Sequence, residues 1–268
     1  MSRNKLWLLL AFCCSLSVLV ACGGGGNEGG DAGEGDDTPA ASSEGPNATA
    51  PSADVADAGS VSGTINFAGA DTDTPIAMNA DPVCAGLHSE PVTTQTIQAK
   101  DGKLADVFIY VKDGLQGKTF PTPTEAKTLD QQGCMYQPHV SGIQVGQPLK
   151  IKNSDATLHN IHAMPTVNAE FNQGQPFQNM EFEKKFDKPE VMVHFKCDVH
   201  PWMSSYIGVV EHPYYAVSGQ DGTFKIDNLP PGNYTLEAWH ETLGTATQQV
   251  TVGANQDATV TFDFQPKA

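Results

Sequence analysis

The chain reads as an all-β protein, and three observations say so. Apolar, β-branched and aromatic residues alternate in short runs. Gly, Pro, Asn and Asp close those runs, and no stretch keeps a helical period with caps at its ends. The pattern is clearest in VSGTINF, ADVFIYVK, QPLKIKN, EVMVHFK, SYIGVVE, GTFKIDN, YTLEAW and ATVTFDF. Short strands punctuated by turns bury one face each against a second sheet, so the expected architecture is sandwich-like.

Ahead of the strands, Arg3 and Lys5 precede the apolar run LWLLLAFCCSLSVLVA, which ends at Cys22. A basic start, a short apolar stretch and a small residue before a cut mark an export signal over residues 1–21. Leu19-Val20-Ala21-Cys22 resembles the bacterial lipoprotein box, which implies lipidation of Cys22 and an exported, lipid-anchored protein. Its expected place is the periplasmic side of an outer membrane or the cell surface. Residues 22–60 then form an acidic tether. From 27 to 60 it carries eight acids, no base and no aromatic residue, so it has nothing to bury and is expected to stay disordered.

The 15 basic and 31 acidic residues leave a formal charge of −16, or −18 once Arg3 and Lys5 are removed, which excludes nucleic acid as an expected partner. Of the six cysteines, Cys13 and Cys14 leave with the signal and Cys22 is taken by lipid. Cys84, Cys134 and Cys197 remain, and in an oxidising compartment three thiols suggest one bridge and one cysteine left over. Cys84 in DPVC and Cys134 in QQGC sit in turn-flanked positions that a bridge can staple.

Cys197 is then the thiol to explain. It opens CDVHPWM, where a cysteine, a histidine and a methionine stand three apart. In EVMVHFKC, strand alternation puts Val191, Val193, Phe195 and Cys197 on one apolar, inward face, with His194 and Lys196 on the other. In LKIKNSDATLHNIHAM, His159 and Ile161 share a face while Asn160 and His162 lie opposite. One inward histidine, an inward cysteine, and His200 and Met203 on the following loop give four candidate ligands. Two imidazoles, one thiolate and a weak thioether form the set that favours a blue-copper electron-transfer site. Methionine is a poor zinc ligand and a second thiolate is missing, which disfavours zinc. The loop holds only one cysteine, and paired His-x-His motifs are absent, so a binuclear centre and multicopper oxidase chemistry are not expected; the chain is read as no enzyme. His162, Met164 and His194 are a weaker candidate for a second, exposed copper site.

The segment resembles the cupredoxins, most closely the amicyanin and plastocyanin group. CDVHPWM matches their short Cys-x-x-His-Pro-aromatic-Met ligand loop, and GQPLKIKNSDATLHNIH resembles their approach to the first histidine. The resemblance covers roughly residues 135–212. It implies a Greek-key sandwich holding one type 1 copper through His159, Cys197, His200 and Met203. Asn160 would tie the two ligand loops together, and Trp202 would shield the metal. MPTVNAEFNQGQPFQNMEFEKKF is long and polar for this family, and residues 80–134 have no clear place in its minimal form.

Further on, SGQDGTFKIDNLPPGNYTLEAW closely resembles the carboxypeptidase regulatory-like domain, a small Ig/transthyretin-like β-sandwich that is usually accessory. The expected organisation is therefore a cupredoxin-like domain over 61–212, with an N-terminal extension, and the second sandwich over 213–268, completed by strands from 61–112 if it is discontinuous. The expected function is a one-electron carrier working with a redox protein such as a cytochrome c or a dehydrogenase. It meets the membrane through the lipid anchor only. The alternative is a lipoprotein that delivers or stores copper without redox turnover.

Overall fold

The computed structural model describes residues 55–267. The export segment, Cys22 and most of the acidic tether lie outside those residues. Among the described residues, no helix is long and apolar enough to cross a membrane.

The fold is all-β and consists of two sandwiches. In the first, one sheet centres on β1 (Gly59–Phe67), flanked by β15 (Thr223–Leu229) and, in parallel, β18 (Asp257–Phe264); β3 (Lys103–Leu104) and β2 (Ala99–Lys100) extend it. The facing sheet runs β14 (Tyr215–Val217), β4 (Phe108–Asp113), β16 (Gly232–His240) and β17 (Gly244–Val252). Between them lies an apolar core that includes Ile65, Val107, Ile109, Phe224, Leu236 and Phe262. In the second sandwich, one sheet runs β10 (Phe171–Gln175), β9 (His159–Met164), β12 (Glu190–Lys196), β13 (Ser204–Val210) and β7 (Val140–Gln144). The other runs β11 (Glu181–Lys184), β8 (Leu149–Asn153), β5 (Lys127–Gln132) and β6 (Met135–Gln137). β13 pairs with β7 and β5 with β8 in parallel, beside antiparallel neighbours, so both sheets of this sandwich are mixed.

The two sandwiches interleave along the chain. β1 and β4 pair with strands from residues 215–264, so a boundary at 213 does not separate the sheets. The polar stretch 164–186 supplies β10 and β11, which close one edge of each sheet of the second sandwich. Edge strands keep one side in water, which accounts for their polarity.

Where the sandwiches meet, Phe108, Tyr215 and Val217 pack on Val140 and Val210. Gly142 and Gly208 are paired across β7 and β13, and a Cβ on Gly208 would come within 2.4 Å of the Phe108 ring. These glycines let aromatic rings of one sandwich lie flat on the backbone of the other. The alternation expected in EVMVHFKC holds from Val193 on. The ladder between β12 and β13 shifts between Glu190 and Val193, however, and Val191 is carried out to the contact between sandwiches.

Among the described residues the one helix is α1 (Pro82–Gly86), a single turn started by proline and capped by Asp81. It belongs to a flap that packs Met78, Cys84, Cys134 and Met135 against Trp202 over one end of the second sandwich.

Candidate metal centre

His159 opens β9, Cys197 follows the last residue of β12, and Met203 precedes the first residue of β13. β9 and β12 pair side by side, so these ends meet, and the turn between Cys197 and Met203 carries His200 into the same space. The turn is closed by backbone bonds from Cys197 to Met203 and from Met203 to His200. All four side chains are buried, with exposures of 0–2 %. Met203 shares the apolar core with Cys197.

The His159 and His200 Nδ1 atoms face each other at 2.9 Å, and Cys197 Sγ stands 3.9 Å from His200 Nδ1. The other nitrogen of each ring donates to a carboxylate: His159 Nε2 to Asp155 at 2.9 Å and His200 Nε2 to Asp81 at 3.1 Å. Those bonds put the ring protons on Nε2 and leave two Nδ1 lone pairs aimed at one point beside a thiol. Lone pairs so close repel unless a cation lies between them, and a carboxylate behind each imidazole orients it and strengthens it as a donor. His159, Cys197 and His200 therefore form a group that fits a metal ion. Bonds of about 2.0 Å to nitrogen in a tetrahedral site put nitrogens about 3.3 Å apart, so the rings need to part by only about 0.4 Å.

Electrostatics fit the same use. Burial pushes the Cys197 thiol up, but His159 and the backbone N–H groups of the loop outweigh it and hold the thiol below its ordinary value. Burial pulls His159 down, yet Asp155 and the Cys197 sulfur raise it above normal. Burial and the neighbouring His159 hold His200 below normal despite Asp81.

Asn160 Oδ1 accepts the Asp198 N–H at 2.5 Å and its Nδ2 donates to Asn172 at 2.6 Å. Trp202 lies 5.1 Å from the His200 ring and donates to Cys134 O at 2.9 Å, so it roofs the centre. Cys84 and Cys134 are joined in a disulfide, and Cys197 is the free cysteine among the described residues. His162 is engaged by Asp198 and Glu170, whereas His194 is bonded to Ser204 and stacked on Tyr206. These two do not converge on one point.

Sequence reasoning missed Asp81, Asp155 and the flap. Asp81 accepts from the Val83 and Cys84 N–H groups through one oxygen and from Thr157 and His200 through the other. Asp155 accepts from the Gly133 and Cys134 N–H groups as well as from His159. The available signals were the helix start in Asp81-Pro82 and the aspartate four residues before His159.

Residues 207–265 match the model of the carboxypeptidase regulatory-like domain. Among curated proteins, none matches the chain. Similar solved structures include the copper(I) form of an amicyanin mutant, 21 % identical over 31 % of this chain and 81 % of that one, with a TM-score of 0.28. A purple cupredoxin from Nitrosopumilus maritimus is 22 % identical over 31 % of this chain and 97 % of that one, with a TM-score of 0.27. A copper-containing nitrite reductase from Thermus scotoductus SA-01 is 23 % identical over 35 % of this chain and 24 % of that one, with a TM-score of 0.29.

Proposed function

We propose that the chain is a type 1 copper protein that carries one electron at a time outside the cytoplasm, anchored to a membrane by lipid on Cys22. The observation that carries this reading is the convergence of two carboxylate-backed Nδ1 atoms on the Cys197 sulfur, with Met203 buried beside them. Copper bound there would alternate between its two oxidation states, which is the whole of the chemistry the metal supplies. The protein holds the ligands still: β9, β12 and β13 fix three of them, and Asp155, Asp81 and Asn160 fix the rings and the loop. Thiolate and thioether suit the reduced ion and imidazole suits both, so little rearrangement is asked of the site. Leu158 and Val199, each next to a histidine ligand, are exposed and offer a redox protein such as a cytochrome c an apolar landing place. The burial of all four ligands favours electron carriage over the alternative of copper delivery or storage, which needs ligands open to exchange.

The test is the visible spectrum of the full-length chain loaded with Cu(II). Strong thiolate-to-copper absorption is expected, with loss of colour in Cys197→Ser. Met203→Leu should stay coloured with a raised potential, and His162→Ala and His194→Ala should change little. A colourless wild-type complex, or colour that survives Cys197→Ser, refutes the carrier and leaves delivery as the better reading.

A further inference from the structure

The His200 ring has two edges, and only Nδ1 faces Cys197. At Nε2 stand Asp81 Oδ2 at 3.1 Å and Cys84 Sγ at 3.6 Å. Asp81, Cys84 and His200 form a second compact group of ligand-type atoms, all within 4.8 Å of one another. Bonds of about 2.0 Å to nitrogen or oxygen and 2.3 Å to sulfur, set tetrahedrally, give nitrogen–sulfur edges of about 3.5 Å and nitrogen–oxygen edges of about 3.3 Å. The observed separations are already of that size. Cys134 supplies a fourth atom, bonded to Cys84 in the oxidised chain.

We propose that reduction of the Cys84–Cys134 disulfide opens a second metal site, in which Asp81, Cys84, Cys134 and His200 bind a thiophilic ion of the zinc or cuprous type. The reductant is a dithiol. It gives two electrons and two protons to the disulfide, its own sulfurs join in a new disulfide, and Cys84 and Cys134 become thiols. Metal binding then releases the thiol protons to solvent and moves the His200 proton from Nε2 to Nδ1, as the sulfurs separate to about 3.8 Å, the sulfur–sulfur edge of a tetrahedron.

Contacts besides the covalent link also hold the flap. Thr157 bonds to Asp81 at 2.9 Å, the Ile76 N–H donates to Val92 O at 2.8 Å, and Trp202 holds Cys134 O. Both sulfurs are fully buried, while the Asp81 side chain is 20 % exposed and gives the ion its way in. Two thiolates, an imidazole and a carboxylate make a closed site of structural zinc character. This site forms without copper at Cys197, because it uses the opposite nitrogen of His200 and leaves Nδ1 to carry the ring proton toward His159 Nδ1.

The test uses the full chain carrying Cys197→Ser, which removes the first centre. The protein is reduced anaerobically with a trialkylphosphine, freed of excess reagent and titrated with Co(II) as a coloured stand-in for zinc. One Co(II) per chain is expected, with thiolate charge-transfer and the intense visible bands of tetrahedral cobalt, displaced by Zn(II). The oxidised chain should show neither. In the reduced Cys197→Ser background, replacing Cys84 and Cys134 together by Ser should abolish the charge-transfer signal, and Cys84→Ser or Asp81→Asn alone should weaken binding about tenfold or more. Equal binding before and after reduction, no binding after it, or full affinity in Cys84→Ser overturns the proposal. So does a reduced chain whose near-UV circular dichroism collapses and is not restored by the ion. Failure of the copper reading would appear separately, as a colourless Cu(II) complex of the wild-type chain.

Discussion

Replacing Asp106 by Asn should stabilise the protein at neutral pH, and the size of the gain follows from the burial of one carboxylate. Asp106 lies between β3 and β4 at a positive φ of 56°, with its N–H donating to Ser218 O and its carboxylate accepting from Gln98 Nε2 at 2.6 Å. Burial pushes its pKa from 3.8 up to about 6, with His139 opposing the rise and Glu241 and Asp73 adding to it. Two pKa units at about 1.4 kcal/mol each make ionisation roughly 3 kcal/mol costlier in the folded chain than in the unfolded one. The folded state holds the proton more tightly, so stability falls as pH rises from about 4 to about 6, and the full penalty stands above that window. Asn resembles the protonated carboxyl, tolerates positive φ and keeps the bond from Gln98 through its Oδ1. Urea unfolding of the full-length, disulfide-intact chain should show Asp106→Asn more stable by roughly 3 kcal/mol at pH 8, the gain shrinking below about 1 kcal/mol at pH 4. No gain at pH 8, or an equal gain at both pH values, would refute the reasoning.

Three other perturbations read different parts of the molecule. Changing Cys84 and Cys134 together to Ala frees a loop of sequence separation 50 and should cost about 4 kcal/mol in the chain-entropy account, seen as a lower urea midpoint. An unchanged midpoint would mean the bond constrains nothing. Gly208→Ala drives a methyl group to within 2.4 Å of Phe108 and should cost about 1–3 kcal/mol, with partial recovery on adding Phe108→Leu. Additive losses in that pair would show that the two sites do not touch. Asn160→Ala leaves the Asp198 N–H without its acceptor; it should cost about 1–3 kcal/mol and speed copper loss to a chelator. Retained thermal stability together with unchanged copper loss would place the loop's support elsewhere.

Much of this was legible in the sequence because strands declare themselves by alternation. EVMVHFK and YTLEAW needed only the period of two, and β12 and β16 stand where those runs predict. The clustering of His159, Cys197 and His200 was legible for the same reason: a buried strand end and a short following loop bring Cys197 and His200 to one place. Edge strands β10 and β11 were illegible, since half their surface stays wet and their composition resembles that of loops. The flap was illegible for another reason. Asp81 lies 119 residues from the His200 it holds, and no local pattern encodes a contact of that range. Gly142 and Gly208 carry no sign in sequence of the rings that cover them.

The flap changes what the site can do. A histidine at the mouth of a sandwich can offer its ring edge directly to a partner, but both rings here are engaged on both sides. Each Nδ1 faces the centre, and each Nε2 is taken by a carboxylate that also receives backbone N–H groups from the disulfide-linked segments. Asp81 and Asp155 therefore couple the rings to Cys84 and Cys134 through short, rigid paths. Any loosening of the flap must reorient both imidazoles, not one. The Trp202 indole, packed 5.1 Å from His200 and half-buried, covers the same end. The covering that keeps water from these side chains thus rests on one element, and the Cys84–Cys134 disulfide is part of it.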